Sequence, residues 1–383
     1  MIDLGGAPLD KALIAQRIRP LFSRALAPGS PIYLANHSLG RPPDRAAEDV
    51  AQAMQAWSRD MGEAWRPWLD AREKFRAMTA RLVGASTPDS IVPKTSAAQG
   101  LRAVLNACDE RIRVVTTDAE FDSLDFVLRV YRERGRIDLT MVPPRAEALI
   151  AALAPRCDLV VLSTVLFRSG EIVAGVDEVI RRAHATGAKV LLDVYHHAGV
   201  LPLDLVALNA DFAVGGSYKY TRGGPGACWL YVHPRHQGLR TLDTGWFAKE
   251  APFAYARPDP PRFAPGGDAW LESTPPVLAA VQALAGLEFT LDIGVERLRI
   301  FHLAQKQRFA ALLANHGLRV EGAGTDYGAF LTFVHPRASE LATRLKERGV
   351  KTDARGEYLR LCADLLNTDD ELAAAADALQ ALV

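Results

Sequence analysis

A lysine set between two apolar strands needs a chemical reason to be there. In Gly215-Gly216-Ser217-Tyr218-Lys219-Tyr220-Thr221-Arg222-Gly223-Gly224-Pro225-Gly226, Lys219 follows small residues and precedes a glycine-rich turn. Asp211-Phe-Ala-Val214 before it reads as a short buried strand. Ala227-Cys-Trp-Leu-Tyr-Val232 after it reads as a second, rich in β-branched and aromatic residues. Lysine is rarely fully buried unless something pairs with it. A Schiff base to a carbonyl cofactor would consume the ammonium and share its charge, so Lys219 is read as a covalent cofactor anchor.

Two other stretches carry residue types that suit the same chemistry. After Ile91-Val92, the run Pro93-Lys94-Thr95-Ser96-Ala97-Ala98-Gln99-Gly100 opens a helix with two hydroxyls. The free N–H groups and dipole of a helix N-terminus bind phosphate, although Thr and Ser are equally good N-caps. Asp193 closes the apolar run Val190-Leu191-Leu192 and precedes Tyr195-His196-His197. A carboxylate there can cap a turn, or it can hold the protonated nitrogen of a pyridine ring. Asp193 and Lys219 are 26 positions apart, one connection plus one strand, so both can emerge on the same edge of a sheet.

The elements that must position these residues alternate along the chain. Ile91-Val92, Val114-Val115-Thr116, Leu139-Thr-Met-Val142, Leu159-Val-Val-Leu162, Val190-Leu-Leu192 and Phe212-Ala-Val214 read as strands, most of them separated by amphipathic segments such as Val176 to Thr186. That alternation predicts an α/β fold, a mainly parallel sheet covered by helices on both faces, with its ligand beyond the carboxyl ends of the strands. Residues 1–30 read as helix then loop. Helical periodicity from Arg45 (Val50, Met54, Trp57, Met61; Phe75, Met78, Leu82) runs to Gly84. Trp57, Trp65 and Trp68 crowd this region as core or subunit interface. Towards the C-terminus, helices over Ala279 to Val295 and Arg297 to His316 precede strands at Leu318-Arg-Val-Glu321 and Ala329 to Val334. A helix over Ser339 to Gly349 and a capping box at Thr368-Asp-Asp-Glu371 complete a small α+β domain. The expected division is an N-terminal segment (1–45), a large cofactor domain (46–278) and a small C-terminal domain (279–383). The proline-rich stretch Pro252 to Pro265 is expected as a mobile loop over the cleft.

Composition bounds the partners. The 383 residues are 49% hydrophobic, enough for a substantial core. Lys plus Arg and Asp plus Glu number 45 each, which argues against nucleic acid or an anionic membrane as a partner. No apolar run approaches the roughly 18 residues of a membrane-spanning helix. Met-Ile-Asp-Leu-Gly-Gly lacks the features of a signal peptide, so the expectation is a cytoplasmic protein. Cys108, Cys157, Cys228 and Cys362 are widely spaced, read as free thiols rather than a metal cage or disulfide framework.

Together these motifs resemble the fold-type I, pyridoxal-phosphate-dependent enzymes of aminotransferase class V, and within them the kynureninases. Ser217-Tyr218-Lys219-Tyr220 followed by Gly223-Gly224-Pro225-Gly226 is similar to the family's S/G-Y-K-F/Y-x-x-G-G-P-G, and Asp193-Val-Tyr-His196-His-Ala-Gly199 to its D-L-A-H-x-x-G. The resemblance extends to Tyr33-Leu34, Asn36, Ser38-Leu39-Gly40, Pro43, Thr95-Ser96, Phe121, Gly245-Trp246, Ser273-Thr274-Pro275, Asp353-Ala-Arg355 and Leu359-Arg360. It implies that Lys219 binds pyridoxal 5'-phosphate, that Asp193 pairs with its ring nitrogen, and that Phe121 stacks on the ring with His196 near it. Thr95, Ser96, Ser217 and Trp246 would be placed at the cofactor, with Thr274 reaching the phosphate of a neighbouring subunit in a homodimer. Tyr218 would relay protons, and Arg360, with Asn36, would hold the substrate amino acid. Arg355 and His197 also fit surface or structural roles.

The activity this implies is hydrolytic Cβ–Cγ cleavage of kynurenine or a related γ-keto amino acid to alanine and an aromatic acid. Departures keep an aminotransferase, β-lyase or cysteine desulfurase reaction as the alternative. Phe121-Asp122-Ser123-Leu124 stands where the family reads F-P-T-D, so Asp122 or Asp125 would have to replace a missing carboxylate. Leu166 precedes Phe167-Arg168-Ser169-Gly170 where a polar residue is usual, and Phe247-Ala248-Lys249 replaces Trp-Gly-His. Leu361-Cys362-Ala363-Asp364-Leu365-Leu366-Asn367 follows Arg360 where the family tends towards P-L-Y-N; Cys362 is the residue that raises desulfuration, against which it reads as the end of a strand.

Overall fold

The computed structural model describes residues 8–108 and 110–383; the leading stretch read for a signal segment lies outside them. The chain starts with α1 (Lys11–Leu13), which continues in tighter and wider helical turns to Phe22, and with the two-residue strand β1 (Ile32–Tyr33). Helices α2 (Asp44–Asp60) and α3 (Trp65–Val83) follow. Gly84 ends α3 in the left-handed conformation (φ +64°), a position that favours a residue without Cβ. The tryptophans pack edge to face, Trp57 and Trp65 each against the buried Trp68.

Seven strands make the central sheet: β2 (Ile91–Lys94), β3 (Ile112–Thr117), β4 (Ile137–Val142), β5 (Leu159–Ser163), β6 (Lys189–Asp193), β7 (Phe212–Gly216) and β8 (Cys228–Val232), in the order β2-β8-β7-β6-β5-β3-β4. Pairs from β7 through β4 are parallel, and β8 runs antiparallel to both its neighbours. The connecting helices are α4 (Ala97–Leu105), α5 (Asp122–Glu133), α6 (Ala146–Ala152) and α7 (Val176–Ala185). Alternate residues of one strand feed opposite cores: Val160 and Leu162 join one cluster, Leu159 and Val161 the other. Burial on both faces explains why these strands read as unbroken apolar runs. The fold class is therefore α/β with a mainly parallel, doubly covered sheet.

The remainder comprises α8 (Val277–Ile293), α9 (Val295–Asn315), β9 (Leu331–Val334), α10 (Ala338–Glu347), β10 (Val350–Lys351), β11 (Asp353–Arg355), β12 (Tyr358–Leu361) and α11 (Asp369–Gln380). Strands β11-β12-β9 form an antiparallel sheet, and β10 pairs with β1, so the N-terminal segment is stitched to the C-terminal part. The segment Leu318 to Glu321, expected as a strand, makes only the isolated bridge Glu321↔Thr332. With Glu321 N–H and C=O both bonded to Thr332, nothing extends the ladder on either side. The capping box at Thr368 and Glu371 is present.

Buried charge ties the parts together. Asp364 accepts from Arg41 and lies 2.8 Å from Arg222 Nη2, joining the N-terminal segment, the lysine turn and the C-terminal part. Gly40 donates its N–H to the Tyr218 carbonyl at 2.8 Å. A Cβ there would lie 1.9 Å from the Lys219 carbonyl oxygen, so only glycine allows this approach. The proline-rich stretch folds back through the Lys249↔Phe263 bridge and the Ala264 N–H to Ala248 bond of 2.8 Å.

Candidate active site

The exits of β2, β3, β5, β6 and β7 converge on a cleft. Thr95, Ser96, Phe121, Asp193, His196, Tyr218 and Lys219 all line it, so most of the residues singled out from sequence come together. Asp193 is the last residue of β6, in register with Val214 of β7, and Lys219 follows β7 by three positions. Their meeting is a product of parallel pairing, which points successive strand ends the same way.

The amine of Lys219 is buried. Its Nζ lies 2.7 Å from Nε2 of His196 and 5.5–5.7 Å from the ring centres of Tyr195, Phe121 and Tyr218. Burial brings its proton affinity well below that of an ordinary lysine, with Asp193 opposing and Arg360 assisting. Asp193 is pushed up by burial and held back by the Tyr195 N–H, which it accepts at 2.9 Å, and by Lys219. His196 is kept neutral by burial and by neighbouring positive charge. Its Nδ1 lies 2.9 Å from the Tyr220 hydroxyl, giving a chain Lys219–His196–Tyr220.

Pyridoxal phosphate can be tested against these donors. Thr95 N–H and Oγ1 both donate to the Gln99 side-chain oxygen, at 2.7 and 3.1 Å. Two donors thus converge on one oxygen at the start of α4, an arrangement a phosphate oxygen can take over. Ser217 is buried and is not among the residues lining this cleft; its Oγ has no partner among the described residues. Lys219 presents an amine with low proton affinity, Phe121 an aromatic face beside it, and Asp193 a buried carboxyl. The residues fit the cofactor.

Other predicted residues lie off the cleft wall. Arg360, on β12, is almost fully buried and is held by Asp353 through Nε (2.9 Å) and Nη2 (2.5 Å), and by the Phe167 carbonyl through Nη1 (2.6 Å). Asp353 also lies 2.6 Å from His37 Nε2. These contacts leave one N–H on each Nη, an edge that suits a carboxylate. Arg355 is exposed and 3.6 Å from Asp353. Asn36 donates to the Cys362 carbonyl at 2.9 Å, while its Oδ1 is buried without a partner among the described residues. Trp246 donates to Thr274 Oγ1 at 3.2 Å; Thr274 lines a second cavity that meets the first at Thr95, Gly226 and Cys228.

The missing family carboxylate is not restored. Ser123 lines the cleft, Asp122 is exposed, and Asp125 is engaged by Arg129 at 2.8 Å. Neither thiol near the site is activated: burial pushes Cys362 up to about 12 and raises Cys228, and Cys362 Sγ points to the Ala329 carbonyl at 3.6 Å. The structure adds Glu120, Ser163, Tyr195 and Tyr220, which sequence reasoning passed over. Tyr195 and Tyr220 adjoin residues already singled out, whereas Glu120 could have been found as a carboxyl just before Phe121 at a strand exit.

Comparison with known proteins places this geometry. The family described as aminotransferase class V matches residues 46–368. Curated kynureninases are similar: that of Geobacillus thermodenitrificans is 30% identical over 372 residues, covering 90% of this chain and 86% of its own. That of Salinispora tropica is 32% identical over 292 residues, covering 70% and 68%. Among solved structures, the cystine C–S lyase C-DES in complex with its product cysteine persulfide superposes with a TM-score of 0.83 at 19% identity, covering 94% of this chain and 99% of its own. A cysteine desulfurase of Escherichia coli gives 0.78 at 19% identity, covering 94% and 96%. At such identities the two structures speak for the fold alone.

Proposed function

The chain belongs to aminotransferase class V, pyridoxal-phosphate-dependent enzymes acting on amino acids, and from that premise we propose that it hydrolyses the Cβ–Cγ bond of kynurenine or a closely related γ-keto amino acid, releasing alanine and an aromatic acid. The observation that carries this reading is the cleft wall: Phe121, Phe167, Tyr195 and Tyr218 offer aromatic surface around Lys219, and both nearby thiols are held protonated. An arene-bearing substrate suits such a wall, whereas desulfuration needs a thiolate. The similarity to curated kynureninases over most of the chain supports the same substrate class.

When bound, pyridoxal phosphate supplies an aldehyde for amines and a ring that accepts electron density from bonds broken at the substrate. Lys219 would hold the aldehyde, Thr95, Ser96 and Ser217 the phosphate, Phe121 one face of the ring, and Asp193 its nitrogen. Lys219, a side chain of low proton affinity, would be suited to taking and returning the α-proton of the substrate. Arg360, its fork fixed by Asp353 and Phe167, presents its remaining N–H groups to the α-carboxylate, with Asn36 close by. Tyr218 is the proton relay for the water that attacks the γ-carbonyl; burial keeps its phenol protonated. His196 and Tyr220 anchor Lys219 from the other side. We assign Trp246 to the phosphate and Thr274 to the phosphate of the neighbouring subunit's site in a homodimer; the Trp246 indole N–H donates to Thr274 Oγ1, which keeps the two side by side.

The test is product analysis. Holoenzyme incubated with kynurenine and 3-hydroxykynurenine should release alanine and the matching anthranilate in equal amounts. Sulfide or persulfide from cystine or cysteine, with no alanine from kynurenine, would replace this reading with the C–S lyase or desulfurase one.

A further inference from the structure

Glu120 is nearly inaccessible, and its side chain has no cation among its described contacts. It stands between the end of β3 and Phe121, the residue that opens α5. Its Oε1 accepts from Thr117 Oγ1 at 2.6 Å and from Ser163 N–H at 3.1 Å, and its Oε2 from Ser163 Oγ at 2.6 Å. One carboxyl therefore clamps the exits of β3 and β5. Ser163 lines the cleft and is in register with Asp193 on β6. Three adjacent strand ends thus set Glu120, Ser163 and Asp193 side by side.

We propose that Glu120 is a positioning residue of the cofactor site: it fixes Phe121 and Ser163 in place and, when ionised, adds a second negative charge behind Asp193 that strengthens the hold on a cofactor carrying a protonated ring. This rests on the assignment of the cofactor to the Lys219 cleft. The groups facing Glu120 are the hydroxyls of Thr117 and Ser163 and the carboxyl of Asp193, with Lys219 beyond Asp193; Asp118, on its own turn, is exposed. Burial, aided by the charge of Asp193, pushes Glu120 up to about 7, while the hydroxyl bonds oppose it. Its ionisation therefore falls in the neutral range. A positive ring entering the site favours the ionised form, so cofactor binding and loss of the Glu120 proton to solvent are linked and reciprocal.

The experiment measures cofactor affinity of the apoprotein at pH 6 and pH 8, together with a pH titration of the visible absorption of the bound cofactor. Against wild type, Glu120→Gln is expected to bind with similar affinity at pH 6 and roughly fivefold more weakly at pH 8, about the effect of one partly screened buried charge. Its absorption titration should lose the component near neutrality. A purely structural role would instead give the same loss at both pH values. Wild-type pH dependence retained in Glu120→Gln would overturn the proposal. If that variant does not fold, Ser163→Ala carries the test: loss of a hydroxyl donor should move the neutral inflection upward by roughly half a pH unit, and an unmoved inflection would equally overturn it. Neither readout requires turnover of kynurenine, so failure of the proposed hydrolysis leaves this test intact.

Discussion

Lys219 Nζ and His196 Nε2 lie 2.7 Å apart, and the opposite nitrogen of the same imidazole meets the Tyr220 hydroxyl at 2.9 Å. Because burial keeps His196 neutral, only one ring nitrogen carries a proton. Where Nε2 accepts from the lysine, Nδ1–H donates to Tyr220; in the other tautomer Nε2–H donates to the lysine and the Tyr220 hydroxyl to Nδ1. In either tautomer the Tyr220 hydroxyl fixes the ring that meets the amine.

Removing that hydroxyl should loosen the lysine without emptying the site. Tyr220→Phe is expected to keep its cofactor and lose about tenfold in kcat, the equivalent of one buried hydrogen bond of about 1.4 kcal/mol. Steady-state kinetics beside the visible spectrum provide the check. Unchanged turnover would mean that Tyr220 does not hold the lysine through His196.

The depressed proton affinity of Lys219 sets a pH dependence for cofactor attachment, which requires the neutral amine. Reconstitution of the apoprotein should quicken as pH rises and level off well below pH 10.5, the ordinary value for lysine. Stopped-flow growth of the visible band at a series of pH values measures the inflection. A rate still climbing past pH 10 would mean that burial does not act on this amine as described.

Asp353 holds both Arg360 and His37, and those contacts keep its carboxyl well below the usual range. Its folded-state affinity for protons is lowered, so the stability it contributes is complete above about pH 3.8 and fades as the pH falls towards its folded value. Asp353→Ala should release the arginine fork and raise KM for the amino acid about tenfold, with the cofactor spectrum unchanged. A fall in kcat at constant KM would assign Asp353 to the chemistry instead.

Cys362 tests the reaction class. Buried, with its thiol turned to the Ala329 carbonyl, it should be dispensable: Cys362→Ala is expected to retain activity within about twofold, at a small cost in stability from the lost sulfur. A loss of 100-fold or more would restore a sulfur-transfer role.

What the chain discloses before folding follows physical lines. Strands β5 and β6 were legible because burial on both faces leaves no polar residue to interrupt them, and Lys219 stood out against such a background. Leu318 to Glu321 misled because an apolar alternation says nothing about whether a neighbouring strand will pair along its length. Glu120 was legible as a carboxyl before Phe121, but its role was not. Its partners Thr117 and Ser163 come from separate strands, and Ser163 is 43 positions away, a juxtaposition that only sheet order creates. The loss of a carboxylate at Leu124 was legible as a gap in a motif. That Asp125 is engaged by Arg129 required the geometry of the α5 surface.

The central claim is that the cofactor is carried on Lys219, and peptide mapping tests it most directly. Holoenzyme treated with borohydride, digested and analysed by mass spectrometry should carry the reduced cofactor on the peptide containing Lys219, and Lys219→Ala should lose both the adduct and the visible band. An adduct on another lysine, or an untouched Lys219 in protein that retains the visible band, would contradict the account.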